Sequence, residues 1–294
     1  MLVDAAAMYY RAFFGLPSSL RTPDGRPVNA VRGFLDVLAT FISAYSPAAL
    51  ACCWDVSWRP VWRVQLMASY KADRANPDGT ERMPPALAVQ VPMLQEVLEA
   101  FGLPIVGAQD FEADDIVATL VAQTERSVDI VTGDRDLFQL VDDSRRVRVL
   151  YCAKGVADHE VVDAAWVQAR YGVPPKAYVD FAVLRGDPSD GLPGVPGVGD
   201  KTAAALLERH RSIHGVLAAA ATGEVTGRLG DALMDFIGFA GAARYVSTVR
   251  ADVPLPPVEL SLPPAPPDEA HLDWLCGSYG LGGSADRLKH ALWG

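Results

Sequence analysis

The chain has 294 residues, half of them hydrophobic, with a formal net charge of −10 at pH 7, enough for one large domain and a smaller appendage around a sizeable core. No stretch approaches the roughly 18 apolar residues of a spanning helix, and the opening "MLVDAAAMYY" lacks the basic segment and cleavage site of a secretory leader. Cys52, Cys53, Cys152 and Cys276 form no C-x-x-C pair, so neither zinc nor a disulfide framework is expected, and the plain reading is a reduced cytoplasmic chain.

In chain order, "LVD" reads as a strand entering an apolar helical run, and residues 28–45 have helical periodicity. "ALACCWD" is a buried strand, and "LAVQVPMLQEVLEAFG" is a helix despite Pro92 near its first turns. "PIV" is a short strand, "EADDIVATLVAQT" a helix, and "VDIVTGD" and "RVRVLY" two further strands. The alternation predicts an α/β core over residues 1–172, with a mainly parallel central sheet flanked by helices. From about Gly172 the strand signals vanish, and alanine-rich segments broken by glycine and proline predict a helical domain over 173–250. The proline-rich stretch 253–270 reads as an extended connector, within a segment 251–294 whose last helices pack back on the body.

Several predicted strands run into aspartate: Asp4 after the first, Asp55 after the second, Asp134 and Asp136 after "VDIVTG". Ligands of open α/β sheets sit at the carboxyl ends of the strands, so these acids share one crevice. Turn and cap preference accounts for any one of them more economically than for the set. Glu112, Asp114 and Asp115 crowd the first turn of the next helix, more acid than macrodipole compensation requires. Asp187 and Asp190 in "RGDPSDG" fit a structural turn and a ligand pair equally well. Nine carboxylates in one site need cations, and oxygen-only donors suit Mg²⁺ or Mn²⁺. These nine nearly account for the net charge, so acidity does not argue against a nucleic-acid partner.

"GLPGVPGVGDKTAAALL", residues 191–207, resembles a phosphate-binding loop, but Asp200 stands between Gly199 and Lys201 where a P-loop has glycine before lysine. The glycines Gly194, Gly197 and Gly199 let the backbone approach a phosphate, and a following helix capped by Asp200 offers free N–H groups.

The ordered motifs "LVDAAAMYYRAF", "SYKADR", "FEADDIVATL", "VTGDRDLFQLV" and "LRGDPSDGLPGVPGVGDKTAAALL" resemble those of the 5′-to-3′ exonuclease and flap endonuclease family, in the form of the 5′-nuclease domain of bacterial DNA polymerase I. The resemblance implies a PIN-like core and a helix-hairpin-helix-type (H3TH) DNA-binding domain. It implies a two-metal phosphodiesterase leaving a 5′-phosphate and a 3′-hydroxyl. Asp4, Asp55, Glu112, Asp114 and Asp115 then belong to the first metal, and Asp134, Asp136, Asp187 and Asp190 to the second. Lys71 and Arg74 lie beside the scissile phosphate on a gateway around residues 56–90, and Lys71, Arg74 and Asp115 are the catalytic candidates. Tyr10, on which a terminal base would stack, together with Arg11 and Arg63, extends the DNA path. Gly194, Gly197, Gly199, Lys201 and Thr202 form the duplex anchor, commonly with a bound K⁺.

The implied partner is nicked or branched double-stranded DNA with a 5′ flap or 5′ end, RNA primers included. A polymerase and a ligase act alongside, and the protein is a nucleoid-associated monomer. The family commonly has asparagine where this chain has Gly191, and the chain reads as a stand-alone nuclease. The alternatives are a branched-DNA-binding protein of the same fold that does not cleave, and an RNase of the PIN-like class.

Overall fold

A computed structural model describes all residues, 1–294. Six strands, β1 (Leu2–Asp4), β2 (Ala51–Cys53), β3 (Ile105–Val106), β4 (Val128–Thr132), β5 (Val147–Tyr151) and β6 (Glu160–Val162), form one sheet in the order β3-β2-β1-β4-β5-β6. The first five are parallel, and β6 closes one edge antiparallel to β5. Because β1 pairs with both β2 and β4, the strand order reverses at β1 and opens a crevice at its carboxyl end.

The inner strands are short and mostly apolar because both sheet faces are covered. Alternate residues serve opposite layers: Leu2, Ala51 and Ile130 face one core, Val3, Cys52 and Val131 the other. On the second face lie the helices Ala5–Gly15, Asn29–Tyr45 and Gln90–Ala100. Pro92 is tolerated because it falls in the first turn of its helix, where its missing N–H has no partner to lose. The sequence pattern did not disclose β6, three residues with one exposed valine.

On the other face the helix Ala113–Gln123 joins a helical unit made of Ala164–Tyr171, Tyr178–Arg185, Asp200–His210, Ile213–Ala221 and Gly227–Ser247. Buried Asp180 ties three of these together, accepting from the Ile213 N–H at 3.0 Å and from Arg244 Nε at 2.7 Å. The proline-rich segment runs extended across the body: Val253 donates its N–H to Thr119 Oγ1 at 3.1 Å, and the Leu50 N–H donates to the Leu260 carbonyl at 2.8 Å. The final helices, Glu269–Tyr279 and Gly283–Trp293, lie on the second core, where Trp293 stacks on Phe101. No helix is long and apolar enough to cross a membrane.

Candidate active site

Asp4 ends β1, and its carboxylate accepts from the Ala7 N–H at 3.1 Å and from Thr132 Oγ1 at 2.7 Å, which links the ends of β1 and β4. Asp55 follows β2 and accepts the Ala113 N–H at 2.6 Å, at the start of the helix that carries Asp114. Beyond β4, Asp134 accepts the Asp136 N–H at 2.9 Å. Asp190 ends a 3₁₀ turn, Pro188–Asp190, brought in from the helical unit. Cap and turn preferences therefore operate here, and they are what aims the acids at the crevice.

Crowding shows in the protonation equilibria. Burial raises Asp4 to about 6 against the Thr132 and Ala7 hydrogen bonds, with Asp134 adding to the rise. Burial raises Asp55 to about 7, Lys71 opposing and Glu112 and Asp4 reinforcing. Asp114 is pushed well above the carboxylate range by burial and then by Asp4 and Asp134. Asp136 is pushed likewise by burial and then by Asp134, Asp190 and Asp187, and Asp190 by burial against the pull of Lys71. The shared neighbours join Asp4, Asp55, Asp114, Asp134, Asp136 and Asp190 into one field of negative charge. All six keep lone pairs that no protein donor uses. No three carboxylates close into a ready-made cage in this conformation. Hard divalent ions take one or two carboxylates directly and keep several waters, so this oxygen-only set fits them.

Three of the nine predicted acids are already engaged. Glu112 receives Lys71 Nζ on one oxygen and Arg63 and the Tyr70 hydroxyl on the other. Asp115, fully buried, accepts Arg63 at 2.7 and 2.8 Å, the Arg250 N–H at 2.8 Å and the Glu112 N–H at 3.2 Å. Its acceptor sites are full in this conformation, so Asp115 offers no open position to an ion here and ties the Arg63 and Arg250 segments to its helix. Asp187 accepts Ser189 on one oxygen and Arg135 and Arg185, both at 3.3 Å, on the other, which likewise leaves no open position for an ion. Arg63 is 2% exposed, and its guanidinium pairs with Glu112 and Asp115 inside the core.

Lys71 and Arg74 do meet the acids. Burial alone would depress the Lys71 ammonium, but Glu112 and its neighbours outweigh burial and hold it well above its ordinary value. Arg74 reaches Asp190 at 3.0 Å with its side chain half exposed. Three helpers escaped the sequence reading: Tyr70 beside Lys71 in "SYKADR", Arg135 between the acids of "GDRD", and Thr132 before them. Each sits next to a residue already singled out, and adjacency was the signal available.

Tyr10 and Arg11 line a cavity of about 900 Å³ beside the crevice, together with Phe14, Asp134, Arg135 and Lys154. The Tyr10 hydroxyl donates to Glu81 at 2.9 Å, and Arg11 reaches the Ala153 carbonyl at 3.1 Å. In the loop, Gly194 is buried, and a Cβ there would lie 2.5 Å from the Arg185 carbonyl oxygen, so close packing against Arg185 requires this glycine. Gly197, Gly199 and Lys201 are exposed, and Thr202 is half-buried. Gly199, not Asp200, is the N-cap of the helix Asp200–His210, with no side chain bonded to the helix start, so its first N–H groups stay open.

Carboxylates crowded beside fixed cations serve phosphate-ester chemistry, and the class they define on this fold is the phosphodiesterases. Residues 1–172 match the 5′-3′ exonuclease N-terminal resolvase-like domain, and residues 173–270 match the 5′-3′ exonuclease C-terminal SAM fold. The chain belongs to the 5′-3′ exonuclease family. It is 48% identical over 99% of both chains to a 5′-3′ exonuclease of Streptomyces coelicolor. It is 45% identical to a 5′-3′ exonuclease of Mycobacterium tuberculosis, over 99% of this chain and 97% of that one. A DNA polymerase I of Mycobacterium bovis is 38% identical over 99% of this chain and 32% of its own length. Among solved structures, T5 5′-exonuclease with bound zinc shares the fold at TM-score 0.64 and 14% identity, over 99% of this chain and 97% of that one. The catalytic core of Rad2 in complex with DNA substrate does so at 0.59 and 17%, over 99% and 90%.

Proposed function

We propose that this nuclease hydrolyses phosphodiesters at 5′ ends and at the base of 5′ flaps in DNA, with Mg²⁺ or Mn²⁺ held by Asp4, Asp55, Asp114, Asp134, Asp136 and Asp190. The observation that supports this most is that these six acids, five of them buried or half-buried and Asp134 exposed, retain free lone pairs beside Lys71 and Arg74. When bound, such ions polarise the scissile phosphate and supply an activated water.

The chain itself supplies position and fixed charge. Lys71 stays ionised and presents N–H donors where charge develops on the phosphate. Arg74 offers a planar fork to a phosphate oxygen once it leaves Asp190. Tyr10 and the exposed Phe14 give a base a stacking face at the adjoining cavity. Gly197 to Thr202 grip the duplex backbone through open helix N–H groups and Lys201, with K⁺ as the accompanying ion. Residues 1–172 act as the nuclease core with its gateway at 56–90, 173–250 as the duplex-binding unit, and 251–294 as a brace. Products ending in 5′-phosphate and 3′-hydroxyl are the groups that ligases and polymerases require, which makes those two classes the functional partners of a monomeric enzyme.

A labelled 5′-flap duplex incubated with Mg²⁺ or Mn²⁺, and with chelator as control, tests the reading. Cleavage near the junction that disappears on chelation and in Asp114→Asn supports it. No cleavage, or cleavage surviving both, overturns it.

A further inference from the structure

Gly191, which stands where the family commonly has asparagine, lies at φ +73° at the end of the acid turn. A Cβ there would overlap the Ser69 carbonyl oxygen and lie 2.8 Å from its carbon. The turn is closed by the Asp187 N–H donating to the Leu192 carbonyl at 3.0 Å and the reverse bond at 2.9 Å, so it has little room to yield. The facing segment is braced as well: Arg59 donates to the carbonyls of Tyr70 at 2.6 Å and Ala68 at 2.8 Å, and the Ala72 N–H donates to Ser69 at 3.1 Å. Across this seam the Lys71 N–H donates to the Asp190 carbonyl at 3.1 Å. Lys71 itself adopts the left-handed conformation, φ 47° and ψ 25°, which a non-glycine residue holds only where its surroundings impose it.

We propose that Gly191 is a positioning residue: by lacking a Cβ it lets the acid turn seat against Ser69–Lys71, and this contact sets where the Lys71 ammonium stands relative to Asp190 and Glu112. The inference rests on the nuclease reading for its activity readout alone. Any side chain at 191 moves two braced segments apart, and displacement of a catalytic group by about 1 Å can cost about 10²-fold in rate. Asparagine tolerates positive φ but carries a Cβ, so it separates backbone strain from steric approach.

The test is a double-mutant cycle on a 5′-flap substrate, with G191A and G191N each made in wild-type and in Lys71→Ala backgrounds. The expected result is a kcat lowered roughly 10- to 100-fold in both single variants, with KM within about threefold, and little further loss when either is added to Lys71→Ala. Wild-type kcat in G191N, or the same fold-loss in both backgrounds, overturns the proposal. If the wild type cleaves no flap substrate the nuclease reading fails, and the seam is then judged by amide hydrogen exchange. That measurement also covers variants that fail to fold: in the wild-type protein the Lys71 amide should be protected like the Leu192 amide. Exchange of Lys71 at the rate of an open loop overturns the proposal.

Discussion

Arg63 grips Asp115 with two guanidinium nitrogens, at 2.7 and 2.8 Å, inside the core. Removing either partner strands a buried charge, at a cost of about 3–5 kcal/mol. Asp115→Ala and Arg63→Ala should therefore lower the urea midpoint strongly and together with activity, whereas a paired Arg63→Met, Asp115→Leu variant should recover much of the loss. A stable Asp115→Ala protein lacking only activity would return Asp115 to the catalytic set.

Lys71 is the opposite case, because its ammonium is held charged at the mouth of the crevice. Lys71→Ala should leave the melting temperature within a few degrees and lower kcat by about 10²–10³, the usual effect of losing one preorganised donor. Single-turnover cleavage of a flap substrate, alongside calorimetry, checks both halves.

Acid crowding sets the pH dependence of the metal-free protein. Asp4 and Asp55 titrate near 6 and 7, above their unfolded value of 3.8, so their contribution to stability is present at low pH and is lost as pH rises through 6 to 7. In chelator the melting temperature should fall between pH 5 and pH 8. Millimolar Mg²⁺ or Mn²⁺ should flatten that fall, and less so in Asp114→Asn. A chelated protein more stable at pH 8 than at pH 5 would contradict the arrangement.

The glycine-rich loop divides into packing and contact. Gly194→Ala should destabilise the fold, since its Cβ meets the Arg185 backbone, while Lys201→Ala should leave the melting temperature unchanged. Lys201→Ala should instead weaken duplex binding and reduce the slope of log K against log salt by about 1. Binding isotherms at several salt concentrations discriminate the two.

Short apolar runs, and acids at their ends, at a helix start or in a turn, are local signals, and they made β1, β2, β4 and the six crevice carboxylates legible in the chain. The antiparallel edge β6 was not legible, because three residues with one exposed valine carry no periodicity of their own. Nor could spacing divide "FEADD" correctly. Asp114 and Asp115 are neighbours on one helix turn, yet one faces the crevice and the other a buried arginine fifty-two positions earlier in the chain.

By itself the sequence determined the class of fold, the family and the pool of acids, because short-range pattern and residue type encode those. Only the tertiary structure decided which carboxylates remain open and which are neutralised, since that depends on Arg63 and Arg135 arriving from other elements. It decided the meaning of the glycines too. The space beside Gly191 and Gly194 is filled by backbone from Ser69 and Arg185, and no neighbour in sequence announces that approach.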